Sequence, residues 1–81
     1  MKIDYKPHAL KALEDAPERV RNTFYKKLKL LEQDLGHLSL HTKKYDESRD
    51  LWQARVNLDW RFYFKIIGDT YVIQDITRHP K

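Results

Sequence analysis

The 81-residue chain has no cysteine, two glycines and three prolines. Without cysteine, no disulfide and no thiolate zinc site can brace the fold. With glycine confined to Gly36 and Gly68, both positions are expected to mark the ends of elements. No apolar run approaches the ~20 residues of a membrane-spanning helix. The N-terminal stretch "MKIDYKPHAL" lacks the apolar segment of a secretory signal. These absences point to a cytoplasmic protein with no membrane partner. There is no repeat, linker or low-complexity segment, so residues 1–81 are read as one domain. A chain this short buries only about 60–65% of its unfolded surface, so its core is thin. Aromatic side chains must fill it: two Trp, five Tyr and three Phe, each able to bury roughly 150–250 Å². Sixteen Lys and Arg against twelve Asp and Glu give a net charge of +4. That balance suits a polyanionic partner such as nucleic acid, or an acidic protein. It also serves ordinary solubility.

Lys2 to Tyr5 alternates as a short strand. Pro7 suits the first turn of a helix whose apolar stripe is Ala9, Leu10 and Leu13. Residues 15–18 read as a break and restart, with Asp15 a possible cap. In the second helix Val20, Phe24, Leu28, Leu31 and Leu35 form one stripe, with Lys26, Lys27 and Lys29 mainly outside it. Gly36 is a plausible C-cap. The stretch "SLHTKKYDESRD" is polar and reads as a loop with irregular extended pieces. Period-two alternation then sets in: strands from Leu51 to Asn57, Trp60 to Ile67, and Thr70 to about Thr77, with a tight turn at Gly68-Asp69. The fold class is therefore α+β, in the order β-α-α-β-β-β. A helical hairpin must pack on one face of a small antiparallel sheet.

A turn centred on Leu58 sets Arg55 opposite Arg61. Gln53, Arg55, Arg61, Tyr63 and Lys65 then share one face, while Ala54, Val56, Trp60, Phe62, Phe64 and Ile66 share the core face. Two like charges directly opposed cost up to about 1 kcal/mol in a sheet. A phosphate bound between them turns the repulsion into attraction, because arginine forks match phosphate oxygens. The alternatives are arginines snorkelling to opposite rims, or pairing with Asp59 or Asp75. Tyr63 is a candidate for base stacking. Lys43, Lys44 and Arg49 could grip a phosphate backbone, or simply solvate their loop. His37 and His41 are four apart, but they follow Gly36 and lack an acidic third ligand, so no metal is expected. His8 is read as a surface or packing residue.

The element order, the basic loop and "LWQARVNLDWRFYFKIIGDTYVIQDITRHPK" together resemble the RelE/ParE superfamily of toxins from type II toxin–antitoxin systems. The RelE and YoeB-like branches are the most similar. The resemblance covers nearly the whole chain and is most specific from Leu51 to His79. It implies a ribosome-dependent mRNA endonuclease that uses no metal or small-molecule cofactor and is blocked by a cognate acidic antitoxin. By resemblance, Arg61 stabilises the scissile phosphate, Arg55 matches a basic position on the preceding strand, and His79 matches a near-terminal histidine that acts as acid. Arg78 lies near a C-terminal arginine of the RelE branch. Tyr63, Lys65, Arg78, Lys43, Lys44 and Arg49 are the candidate substrate-binding set. Thr42 stands where the YoeB-like branch has a glutamate base, and Glu47, Asp46 or His41 could substitute. Gln53 stands where the RelE branch has lysine. A ParE-like inhibitor of DNA gyrase and an inactive antitoxin-binding protein are the competing readings.

The last strand decides whether His79 can serve. A strict two-residue turn at Gly68-Asp69 sets Arg61 against Ile76 and turns His79 to the other face. A three-residue loop or a bulge instead sets Asp75 opposite Tyr63 and brings His79 to the arginine face. The second register is the one expected, with Val72 and Ile76 in the core. Pro80 should end the strand.

Overall fold

Pro7 opens the first helix where its missing N–H costs nothing, and the chain from there builds a hairpin on a sheet. The computed structural model describes residues 1–79. Strand β1 (Lys2–Tyr5) leads into α1 (Pro7–Asp15) and α2 (Glu18–Gln33). A single 3₁₀ turn (Leu38–Leu40) follows, then β2 (Lys43–Asp46), β3 (Leu51–Arg55), β4 (Trp60–Ile67) and β5 (Thr70–Arg78). The sheet order is β1-β5-β4-β3-β2. β2 through β5 are antiparallel neighbours, and β1 lies parallel to β5. The α+β reading holds, with two additions. Part of the polar stretch read as loop pairs with β3 as a strand. The two helices carry the chain from β1 at one edge of the sheet to β2 at the other, and β1 pairs in parallel with the last strand, as so long a connection permits.

The two predicted caps are not used. Pro17 occupies the N-cap of α2 without a side-chain bond, and Asp15 pairs instead with Lys11 one turn back at 3.5 Å. Asp34 ends α2, and its carboxylate accepts from the Gly36 N–H at 3.0 Å. Gly68, by contrast, has φ +59° at the tight turn, a conformation that favours glycine. Arg21 reaches back to donate to the carbonyls of Leu13, Glu14 and Ala16, satisfying acceptors at the C-terminal end of α1.

The core joins Phe24, Leu28 and Leu31 of α2 to Ala54, Val56, Phe62, Phe64, Tyr71, Ile73 and Ile76 of the sheet. Phe24 meets Phe62 edge-on at 5.2 Å, and Phe64 meets Tyr71 edge-on at 5.6 Å. Each such ring contributes roughly 1.5–3 kcal/mol by burial. Trp60, expected in the core, is only half-buried against it. Leu10 faces solvent, so the α1 stripe narrows to Ala9 and Leu13.

The register between β4 and β5 combines both sequence alternatives. The turn has two residues, with Ile67 opposite Thr70. A bulge then shifts the ladder, so that Phe64 faces Ile73 while Tyr63 faces Asp75. Gln74 is the extra residue. Before the bulge Tyr71 and Ile73 point to the core, and Val72 lies opposite Lys65 on the open face. Val72 is buried there, as expected of a core residue, but it lies outside the main cluster under the helices. After the bulge Ile76 returns to the core opposite Phe62, and Thr77 faces Arg61. The ladder runs past Arg78, because the His79 N–H donates to the Asp59 carbonyl at 2.6 Å. Pro80, expected to end the strand, lies outside the described residues.

Candidate nucleic-acid site on the open sheet face

Arg55 and Arg61 are direct cross-strand partners, as the turn centred on Leu58 requires. Asn57 shapes that turn by accepting the N–H groups of Asp59 and Trp60 at 2.8 and 2.9 Å. Arg61 is 7% exposed. Its Nη1 donates to the carbonyls of Asn57, Leu58 and Trp60 at 2.7, 3.2 and 3.0 Å. Neither Asp59 nor Asp75 pairs with it, so those two sequence alternatives fall away. Burial first, and the neighbouring Arg55 second, lower the Arg61 pKa from its ordinary value. Among the described residues no bond uses Nε or Nη2, the edge that a bidentate phosphate contact needs.

These arginines belong to a cleft of about 440 Å³ lined by His41, Thr42, Lys43, Gln53, Arg55, Arg61 and His79. The bulge in β5 is what brings His79 there, since without it the strand's parity would reverse. Lys43 enters because it pairs with Gln53 on the same face. His41 follows the 3₁₀ turn in a left-handed conformation, φ 46°. A non-glycine residue there costs of order 1 kcal/mol and is found at functional sites more often than elsewhere. Among the described residues, the cleft therefore gathers three cations and two imidazoles with no carboxylate. Thr42 adds a buried hydroxyl without a hydrogen-bond partner among the described residues.

Other expected residues lie elsewhere. Lys44 sits across from Trp52, with its ammonium 4.9 Å from the ring centroid, and pairs with Asp50 and Glu47. The Asp50 hydrogen bond is the main cause that raises its pKa. Arg78 is opposite Trp60, on the face away from the cleft. Arg49 is held by Asp46 at 2.7 Å. Both Lys44 and Arg49 thus brace the β2–β3 turn. Tyr63 and Lys65 line a second cleft on the same open face, about 430 Å³ in volume, with Tyr45, Arg49, Asp75 and His8. His8, read as a surface residue, is paired there with Asp75 at 3.2 Å. No sequence signal links two residues so far apart in the chain.

Neither Asp46 nor Glu47 reaches the cleft. Asp46 accepts from Ser48 and Arg49, and these bonds, Ser48 first, lower its pKa to about 2. The β2–β3 turn should keep this support above the ordinary carboxylate range near ~4 and lose it as pH falls through about 2. The Ser48 and Arg49 amide resonances followed over acid titration should move with a midpoint near 2. A midpoint near ~4 would show that the carboxylate is unpaired in solution.

Two helices over a mixed five-stranded sheet are a fold that this chain shares with solved YoeB/ParE, RelE and YafQ toxins. The chain superimposes on the YoeB/ParE toxin from Agrobacterium tumefaciens with a TM-score of 0.82 at 12% identity, covering 99% of this chain and 100% of that one. It is similar to the archaeal RelE of a RelE–RelB complex from Pyrococcus horikoshii OT3, with a TM-score of 0.78 at 18% identity over 95% and 92%. It is also similar to YafQ from E. coli, with a TM-score of 0.77 at 18% identity over 96% and 92%. No protein-family model and no curated protein sequence matches the chain.

Proposed function

We propose that the chain is the toxin of a type II toxin–antitoxin pair and an endoribonuclease that cuts mRNA on the ribosome. The observation that carries this reading is the cleft in which Arg55, Arg61 and Lys43 meet His41 and His79. RNA supplies its own nucleophile, the 2′-OH. His41 takes that proton as general base. The 2′-oxygen attacks phosphorus, and the extra negative charge on the phosphorane develops against Arg55 and Arg61. Fixed cations aimed at developing charge are usually the largest catalytic contribution. His79 in its protonated form gives its proton to the departing 5′-oxygen. The products are a 2′,3′-cyclic phosphate and a 5′-hydroxyl. The shared fold with a RelE found in complex with RelB and the net charge of +4 support an acidic antitoxin as partner. Two imidazoles in the arginine cleft favour this reading over gyrase inhibition, which needs no proton transfer.

His79→Gln should lower single-turnover cleavage of ribosome-bound mRNA by about 10²-fold. The alkaline limb of the pH–rate profile should vanish with it, because the proton donor is gone. Binding should change little, since the phosphate grip belongs to the arginines. An unchanged rate and profile would leave His79 as a terminal surface residue.

A further inference from the structure

The second cleft contains a feature that phosphate binding does not explain. Asp75 stands in it opposite Tyr63, on the face that otherwise carries Arg55, Arg61 and Lys65. A carboxylate there repels phosphate. It attracts hydrogen-bond donors. Its Oδ1 accepts from the Ile76 N–H at 2.8 Å and faces His8 Nε2 at 3.2 Å. Among the described residues, Oδ2 has no partner.

We propose that this cleft is a subsite for the nucleobase beside the phosphate held by Arg55 and Arg61, and that Asp75 selects bases bearing an exocyclic amino group over uracil. The proposal rests on the RNase reading of the arginine cleft. Four observations converge on it. Tyr63 is two residues from Arg61 on the same strand and face, about 7 Å away along the strand, which is the reach from a phosphate to its own base. The Tyr63 hydroxyl accepts from Gln53 Nε2 at 3.1 Å, so a residue of the phosphate cleft fixes the orientation of this ring. Tyr45 meets Tyr63 edge-on at 5.0 Å, giving aromatic surface on which any base can stack. Arg49 is neutralised by Asp46, which leaves Lys65 as the cation at the rim and Asp75 as the polar reader.

The selectivity follows from the edges of the bases. Adenine, cytosine and guanine each present an amino group that a carboxylate oxygen can accept. Uracil presents one N–H between two carbonyl oxygens, so a carboxylate reaching for that N–H also meets a repelling oxygen. A hydrogen bond to a charged group, once made, is worth about ten-fold in affinity. His8 holds Oδ1, so the ligand meets Oδ2.

The test is an amide-resonance titration of the full chain with 2′-O-methylated dinucleotides ApA, CpC, GpG and UpU, which cannot be cleaved by 2′-oxygen attack. All four should perturb amides around Arg55 and Arg61. ApA, CpC and GpG should also perturb Tyr63, Gln74 and Asp75, and should bind roughly ten-fold more tightly than UpU. Asp75→Asn keeps an oxygen for the Ile76 N–H but adds a donor. It should raise UpU binding to the level of the others, with the dispersion of the spectrum reporting that the fold persists. Equal binding of all four by the unsubstituted chain, or a preference that survives Asp75→Asn, overturns the proposal. Perturbation confined to the arginine cleft overturns it too, while leaving the phosphate site standing. Failure of the RNase reading has a different signature: base-selective binding with no cleavage of ribosome-bound mRNA.

Discussion

Phe62→Ala should cost about 3–5 kcal/mol and leave the chain largely unfolded at 37 °C. Phe62 is fully buried, with Phe24 of α2 edge-on at 5.2 Å and Phe64 at 5.8 Å beside it. Removing the ring forfeits its transfer free energy and leaves a cavity between helix and sheet that neighbouring rings cannot fill without breaking those contacts. A domain of this size has roughly 4–12 kcal/mol of stability in all, so the loss takes a large share of it. Denaturant unfolding followed by tryptophan fluorescence measures it directly. A midpoint within experimental error of the parent would mean that Phe62 does not join the two layers.

Arg61→Ala should lower single-turnover RNA cleavage by about 10²–10³-fold, the usual effect of removing one preorganised donor at developing charge. The sequence alone suggests that this change should keep or raise stability, because it removes a like-charge pair with Arg55. The structure reverses that expectation. Arg61 Nη1 holds three carbonyls of the β3–β4 turn, so its loss should cost about 1–2 kcal/mol. Arg55→Ala keeps that turn bonding and relieves the repulsion, and it should be close to neutral for folding while still lowering cleavage. Comparing the two variants by unfolding and by cleavage separates the two roles of Arg61. If Arg61→Ala loses stability yet cleaves at the parental rate, Arg61 is a turn clamp only.

The dual role has a physical basis. A guanidinium offers five donors in a fixed plane. Donating Nη1 to the turn fixes the plane, and a fixed plane presents its remaining edge without further loss of rotamer freedom. The turn thereby orients the residue proposed to hold phosphate. The like-charge neighbour Arg55 is tolerated because Arg61 spends part of its charge on backbone dipoles.

Patterning alone determined the layers of this protein. The apolar stripe Val20, Phe24, Leu28 and Leu31 and the alternation from Leu51 to Ile67 each bury one face, and burial of those faces admits only a helical hairpin on a sheet. The same alternation determined that Arg55 opposes Arg61, because a short turn leaves no freedom in pairing. The tertiary structure decided what depends on single residues. The two-residue turn sets Val72 opposite Lys65, and the bulge at Gln74 then inverts the parity of β5 halfway along, delivering His79 to the arginine face. No periodicity announces one extra residue. Strand β2 forms from a polar stretch because β3 offers it an edge, which local propensity does not register. Arg78 and Lys44, basic and close in sequence to cleft residues, lie away from it because a side chain one position over on a strand points to the opposite face. The pairing of His8 with Asp75 joins an early helix to the last strand. Only the closing of the sheet brings them within 3.2 Å, since residues that distant in sequence carry no mutual pattern.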